Sequence, residues 1–179
     1  VGGAAVAVVG GGFVWPDARG VVGRFVGATV VRGKGYGEGR PTTAGDARTL
    51  RRWRRGHSVD TAPVIFEATS RDHMGVYLAV DRTDSIPRIW FIEKIDFFNQ
   101  VCWLGDETRA KQKLDLPTDA GMDAHRDWLM VKLRKPWSVG GQTYAADIVL
   151  GISLSAFLGG DRHFTIVFEP GPRRALQGF

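Results

Sequence analysis

Hydrophobic residues alternate with polar or small residues over long stretches of the chain after Pro63, and this two-residue period is the strongest constraint on its fold. In the segment 76–82, for example, Val76, Leu78 and Val80 fall on one side. Successive side chains of a strand point to opposite faces, so this period buries one face of a β-strand but not one face of a helix. The pattern therefore predicts a chain built mainly from half-buried strands.

Segments with this alternation recur along the chain, and turn-forming Gly, Pro, Asp and Ser lie between them. The turn at 83–87 joins the first of these strands to the next and predicts the best-defined hairpin of the chain. Polar residues dominate 106–114, which predicts one or two helical turns or a long loop. Strands are predicted at 64–68, 76–82, 88–96, 99–104, 128–135, 147–155 and 164–168.

Glycine dominates the beginning of the chain. Half of the 24 glycines lie within the first 39 residues, a spacing that permits short strands and excludes long helices. Strands are predicted at 4–9 and 24–32, followed by a glycine-rich turn at 30–41 in which Tyr36 is the one large side chain. Phosphate-binding loops join a strand to a helix, whereas this run leads into Pro41, so the preferred interpretation is a turn.

The net charge of +5 has a local origin. Once five closely spaced arginines are removed, the remaining 19 basic and 19 acidic residues cancel. Thr43 and Asp46 have the spacing of a capping box, which predicts a short helix over 47–55. The arginines in and around this segment are Arg48, Arg51, Arg52, Arg54 and Arg55.

This arginine-rich segment is the predicted interaction site. Basic residues interleaved with an aromatic serve nucleic-acid backbones and exposed bases. The preferred alternative is that the arginines pair with carboxylates of a neighbouring subunit, because a guanidinium engages a carboxylate through two parallel hydrogen bonds. The predicted interaction residues are Arg51, Arg52, Trp53, Arg54, Arg55 and Tyr36.

The predicted fold class is mainly β, an antiparallel β-sandwich or open barrel with one short helix and extended termini. Residues 1–45 are expected to form a glycine-rich arm of strands and turns. Residues 46–179 are expected to form the β-rich core domain, with the arginine-rich helix at its start and a Pro/Arg-rich tail after Glu169. No long sequence repeat is evident. The longest apolar runs are far shorter than the roughly 20 residues that span a bilayer, so no membrane contact is expected.

No group of residues in the sequence has the spacing of a catalytic or metal site. The four histidines are isolated from one another, and the single Cys102 lies in an apolar segment, where it is expected to be a small core residue of a protein kept in a reducing compartment. Asp72 and His73 are adjacent, but neighbours in an extended chain point apart. Glu93 lacks the spacing of a metal-dependent nuclease site. The sequence therefore predicts no enzyme, no cofactor and no metal.

Two segments carry a resemblance to a known family. The strands GVYLAVDRT (75–83) and RIWFIEKID (88–96) resemble paired strands of tail nozzle and tail-tube accessory proteins of tailed bacteriophages, in which a strand ending in arginine turns into one ending in an Ile-Glu pair. Arg82 and the pair Ile92 and Glu93 occupy those positions. The segment 30–41 is similar to the glycine-tyrosine turns of phage virion proteins.

The resemblance implies a non-enzymatic structural component of a bacteriophage virion, made in the host cytoplasm. Such a protein acts through contacts with copies of itself and with other virion proteins in a tail or capsid assembly. The alternative is a nucleic-acid-binding accessory protein that uses the patch 48–55. A third hypothesis is a hydrolase whose site converges only in three dimensions.

Overall fold

The structure is a computed structural model that describes residues 21–25, 28–33, 41–54, 56–58, 61–83, 87–106 and 108–176. The chain divides into two compact units, with the boundary after Leu114.

The first unit contains two four-stranded sheets, and each sheet is an antiparallel meander in which every strand pairs with the next one in sequence. The first sheet contains β1 (Val21–Phe25), β2 (Ala28–Gly33), β3 (Thr49–Trp53) and β4 (Val64–Glu67). The second sheet contains β5 (Gly75–Asp81), β6 (Arg88–Lys94), β7 (Gln100–Asp106) and β8 (Arg109–Lys113).

These two sheets share a hydrophobic core. Leu50 of β3 is fully buried and belongs to the same cluster as Leu78 of β5 and Phe91 of β6. Phe66 of β4 packs against both Phe91 and Trp103, with ring centroids 5.3 and 5.0 Å apart. Burying a Leu or Phe side chain contributes about 1.5–3 kcal/mol, so this shared face accounts for the packing of one sheet on the other.

The second unit is built around a third four-stranded antiparallel sheet, in the order β14-β13-β10-β9. A two-stranded hairpin, β11 with β12, and one short helix complete this unit. The elements are β9 (Gly121–His125), β10 (Trp128–Lys132), β11 (Trp137–Val139), β12 (Gln142–Tyr144), β13 (Val149–Ser153), α1 (Leu154–Leu158) and β14 (Thr165–Phe168).

The β11–β12 hairpin is an excursion between two strands that are themselves paired. The backbone of Leu133 closes its base, donating to the Ile148 carbonyl and accepting from the Asp147 amide, both at 3.0 Å. The hairpin also touches the rest of the unit through Phe164, whose ring lies 5.2 Å from that of Trp137 and whose carbonyl accepts from the Tyr144 hydroxyl at 3.0 Å.

The predicted fold class is confirmed: the described residues are mainly antiparallel β, in several sheets with one short helix. The strands predicted at 64–68, 76–82, 88–96, 99–104, 128–135 and 164–168 are all present with small differences at their ends. The sequence shows no long repeat, yet the structure repeats a four-stranded antiparallel sheet three times.

The predicted helix over 47–55 is wrong, because this segment contains strand β3. The local capping signal closes a turn instead: the Thr42 hydroxyl accepts from the Asp46 amide at 3.1 Å and lies 3.1 Å from the Met74 carbonyl, to which it donates. Pairing with β2 on one side and β4 on the other then favours an extended backbone over the helical alternative.

Other boundaries also differ from prediction. The single strand predicted at 24–32 is the hairpin of β1 and β2, and β2 also pairs with β3. The polar segment 106–114 contains strand β8, and the end of the strand predicted at 147–155 begins helix α1.

At the predicted extended tail, Gly171 and Arg174 exchange two backbone hydrogen bonds of 3.0 Å, which makes a tight turn. The predicted strand at 4–9, Tyr36 and Arg55 lie outside the described residues.

Candidate functional site

The arginine-rich segment does not form one continuous basic surface. Arg51 of β3 is buried, and its Nη1 donates to the Ala62 carbonyl at 2.8 Å. Arg52 is half-buried and Arg54 is exposed. Arg48 forms an ion pair of 2.9 Å with Glu67. The patch is therefore split between structural arginines and arginines that reach the surface.

A cavity of about 330 Å³ lies where β3 leads into the loop before β4. Two of the predicted interaction arginines and the predicted tryptophan line it, so the structure brings these three side chains together. The lining residues are Arg52, Trp53, Arg54, His57, Ser58, Thr61, Ala62 and Pro63.

Hydrogen bonds within the loop fix the shape of this cavity. The indole Nε1 of Trp53 donates to the His57 carbonyl at 2.6 Å, which holds the indole ring in place. The Thr61 hydroxyl donates to the Ser58 carbonyl at 3.0 Å. The Arg52 amide donates to the Pro63 carbonyl at 2.9 Å and joins the two ends of the loop. Among the residues of this loop that the structure describes, these hydrogen bonds hold the backbone beside the guanidinium groups of Arg52 and Arg54.

A second polar cluster lies under the β4–β5 loop, around the buried side chain of Glu93. Its Oε1 accepts from the Thr69 amide at 2.6 Å and from the Thr69 hydroxyl at 2.9 Å, and it lies 2.6 Å from His73 Nδ1. The Glu93 side chain is 1% exposed and that of His73 is 22% exposed. A charged residue inside the apolar strand β6 is the sequence signal for this cluster, and sequence reasoning missed its partner. Asp72 instead accepts a hydrogen bond from the Thr43 hydroxyl.

The Glu93 cluster contains the imidazole of His73, which can act as a base, and the carboxylate of Glu93, which orients this imidazole. The Thr69 hydroxyl in the same cluster, however, is not placed for nucleophilic catalysis. A triad needs the nucleophile hydrogen-bonded to the histidine, whereas the Thr69 hydroxyl donates to the carboxylate. The exposed His163 pairs with Asp161 in a local turn. The Thr69 hydroxyl, the Glu93 carboxylate and the His73 ring are therefore connected, but not in the order of a catalytic triad.

The thiol of Cys102 is buried in β7, as predicted from its apolar segment. Burial raises the pKa of this thiol to about 12, which leaves it protonated and unreactive at neutral pH. In the part of the chain that the structure describes, no three His, Cys, Asp or Glu side chains converge as metal ligands. No described helix is long and apolar enough to cross a membrane.

Two phenylalanines project into solvent from the turn between β6 and β7. Phe97 is 79% exposed and Phe98 is 65% exposed. Asp96 fixes this turn, because its Oδ1 accepts from the backbone amides of Phe98 at 2.7 Å and Asn99 at 2.8 Å. The Phe98 amide, and then the Asn99 side chain, hold the pKa of Asp96 below its usual value. A rigid apolar pair of this kind is typical of a protein-contact site.

The fold defines the chain as a repeated four-stranded antiparallel β protein, and a comparison with solved structures agrees with that class. The chain is similar to the structure of a post-proline cleaving enzyme from Rickettsia typhi, at 20% sequence identity and a TM-score of 0.72. The match covers 84% of this chain and 23% of that enzyme, so the chain corresponds to a minor part of its length. No protein-family model and no curated protein matches the sequence. This likeness shows a shared fold.

Proposed function

We propose that this chain is a β-rich, non-catalytic part of a peptidase that cleaves after proline. The observation that carries the proposal is the structural likeness to the post-proline cleaving enzyme, which extends over 84% of the chain with a TM-score of 0.72. A match over 84% of the chain includes residues of both compact units, which is more than a single hairpin or sheet would supply.

The proposal assigns this chain a non-catalytic role within such an enzyme. Serine, cysteine and metallopeptidases hydrolyse peptides with an activated nucleophile or a metal-bound water. The described residues bring together neither set of groups, since Thr69 is bonded to the carboxylate of Glu93 and Cys102 is a buried, protonated thiol. In this proposal the cleaving residues belong to the part of the peptidase that the matched 23% does not include.

The virion structural role stays a second proposal. The exposed Phe97 and Phe98 favour it, because a rigid aromatic pair suits the centre of a contact between subunits. The same residues fit contacts within a larger peptidase equally well. The nucleic-acid-binding alternative has less support, since Arg51 is turned into the fold and Arg48 is paired with Glu67.

One immunodepletion experiment separates these proposals. An antibody raised against the recombinant chain is used to deplete a lysate of the source cells, and hydrolysis of a chromogenic Gly-Pro anilide is measured before and after. We expect the activity to leave with the antigen, which migrates as a species larger than 19.6 kDa. Antibody blocked with excess recombinant chain is the control.

Activity that stays in solution after complete removal of the antigen would contradict the peptidase proposal. Antigen that sediments with nucleic-acid-containing particles, without post-proline activity, would instead support the virion proposal. Hydrolysis of the anilide by the purified recombinant chain would contradict its non-catalytic role.

A further inference from the structure

We infer that strand β14 binds an extended, apolar peptide segment, which adds a strand to the third sheet. The partner would form main-chain hydrogen bonds with the outer edge of β14 and pack its side chains beside those of this strand. The inference concerns a surface for protein contact and does not depend on the proposed peptidase.

In the described part of the chain, β14 has one strand neighbour. It lies at the end of the order β14-β13-β10-β9 and pairs antiparallel with β13 alone. Thr165, Ile166 and Val167 are exposed, and Phe168 is half-buried. The N–H and C=O groups of alternate residues in an antiparallel strand point to opposite edges, so an edge strand directs half of them away from its neighbour. The outer edge of β14 therefore presents backbone donors and acceptors for a further strand.

The composition of β14 distinguishes it from the other edge strands of the described sheets. Its sequence, TIVF, contains no charged residue, glycine or proline. Each of the other five edge strands of the four-stranded sheets contains at least one charged residue; these strands are β1, β4, β5, β8 and β9. Charged residues and bulges both keep an edge from pairing with another chain. Register irregularities occur at β1, β4, β8 and β14, so the absence of charge is what separates β14 from the others.

Apolar surface extends from the edge of β14 across the neighbouring strands. Val167 and Trp128 are both exposed. A Cβ on Gly151 of β13 would lie 2.8 Å from the Val167 side chain and 3.7 Å from the Trp128 ring, so these two side chains lie on the same face of the sheet. β-branched and aromatic side chains on adjacent strands pack against each other. An added strand with β-branched residues would therefore continue this apolar face beyond Val167.

The size of the edge and its surroundings favour a peptide segment over a second copy of the chain. Four residues of strand extend about 14 Å, whereas a stable protein–protein contact buries about 1,200–2,000 Å². The exposed residues beside β14 in sequence are polar: Asp161 and His163 precede it, and Glu169 follows it. The apolar contact therefore ends with the strand, and it matches a peptide segment of about five extended residues. An uncharged edge also favours uncharged partner residues, because a charge buried beside it would lose water without gaining a partner.

The test titrates the full 179-residue chain by calorimetry with a capped pentapeptide, N-acetyl-Thr-Val-Thr-Val-Thr amide. The same peptide with methylated backbone nitrogens is the matched control probe, because it cannot donate main-chain hydrogen bonds. We expect the unmethylated peptide to bind at least about tenfold more tightly than the methylated one, since two or more backbone hydrogen bonds are lost.

Amide hydrogen exchange locates the bound peptide on the sheet. The unmethylated peptide should slow exchange of the amides within β14, because those on its outer edge become hydrogen-bonded. The amides of β9, at the opposite edge of the same sheet, should exchange at the same rate with and without peptide.

Substitution in the edge strand links the binding to β14. Val167→Lys places a charge on the edge and should weaken peptide binding by about tenfold, while the unfolding temperature stays unchanged because Val167 is 57% exposed. Val167→Thr keeps the β-branched shape without a charge and should bind within about twofold of the parent. Val64→Lys is the matched control, because Val64 is a 43% exposed valine in the edge strand β4, and it should bind as the parent does.

Absence of peptide binding, or equal binding of the methylated and unmethylated peptides, would overturn the inference. So would full affinity in Val167→Lys, an equal loss in Val64→Lys, or unchanged exchange within β14. Sedimentation of the free chain tests the other occupant: self-association that Val167→Lys abolishes would assign this edge to a second copy and overturn the choice of a peptide partner.

Discussion

Glu93 offers the most direct test of how the β4–β5 loop is held to the sheet. Its buried Oε1 is the common acceptor for the Thr69 amide, the Thr69 hydroxyl and the His73 ring, at 2.6, 2.9 and 2.6 Å. Glu93→Ala removes the acceptor and leaves three donors without it. A buried donor without a partner costs about 1–3 kcal/mol.

The expected loss of stability is smaller than the sum of these costs for the three donors, because the donors are partly exposed. The His73 side chain is 22% exposed and Thr69 lies at the surface, so water replaces part of what they lose. We expect Glu93→Ala to reduce the free energy of unfolding by about 3 kcal/mol. For a chain of this size that corresponds to a fall of about 6–12 °C in the unfolding temperature. Glu93→Gln keeps the shape and one oxygen acceptor, and should lose about 1–2 kcal/mol.

Urea unfolding gives the global change, and amide hydrogen exchange at Thr69 gives the local change. The Thr69 amide should exchange at least about tenfold faster in Glu93→Ala, since 1.4 kcal/mol corresponds to a factor of ten. Glu67→Ala is the control, because its ion pair with Arg48 is half-exposed and contributes about 0–1 kcal/mol. Equal loss of stability in Glu93→Ala and Glu67→Ala, or unchanged exchange at Thr69, would refute the reasoning.

Three further predictions concern backbone packing, acid stability and thiol reactivity. Gly105→Ala should lower the free energy of unfolding by about 3 kcal/mol or more, because the added Cβ would meet the backbone of β8 and lie 2.8 Å from the Phe91 ring. Gly45→Ala is the control: its Cβ would stand in open space, and the positive φ of 81° should cost about 1 kcal/mol. Measurement of both variants in urea checks this, and equal losses would contradict it. Hydrogen bonds lower the folded-state pKa of Asp96 and of Asp106, so their contribution to stability is complete above about pH 4 and is lost as the pH falls through the folded values. The urea midpoint should therefore fall from pH 6 to pH 3, and less so in the double Asp-to-Asn variant; a midpoint independent of pH would rule this out. Cys102 should react with a thiol reagent at pH 8 only as fast as the protein opens, since its pKa is about 12; rapid labelling of the folded chain would show that the thiol is accessible.

Much of the second sheet could be predicted because its local and long-range signals agree. Val76, Leu78 and Val80 alternate along β5, and the facing strand β6 carries a dense apolar run after a turn. Both features favour an extended backbone with one buried face, and no local signal in these segments favours a helix.

Strand β8 shows why other elements could not be predicted. Its sequence, RAKQK, contains one apolar residue and has no two-residue hydrophobic period. It is a strand because β7 pairs with it, for example at Trp103 with Lys113, and it lies at the edge of the sheet, where lysines are favoured and burial is slight. The predicted helix over 47–55 failed for the related reason that pairing on both sides of β3 outweighed a local capping signal.

The candidate site was predictable only in part. The run containing Arg52, Trp53 and Arg54 marks an interaction segment in the sequence, because basic and aromatic residues alternate there. That Arg51 is buried on the Ala62 carbonyl while Arg52 and Arg54 line the cavity depends on how β3 meets the loop before β4, which the sequence does not show. The pairing of His73 with Glu93 joins residues twenty positions apart through a sheet and has no spacing motif that would predict it.

The β11–β12 hairpin has a practical consequence for engineering the protein. Because the backbone of Leu133 already closes the base of the hairpin, the ends of this excursion are held together whatever its tip contains. Gly141, at the tip, has no neighbouring atom within 4 Å of where a Cβ would stand, whereas the adjacent Gly140 is crowded by the Arg162 backbone. Loop closure costs little more as a loop lengthens, so a peptide tag or a small domain inserted directly after Gly141 should be tolerated. The hairpin is thus a natural position for attaching a reporter without interrupting any sheet that forms the core.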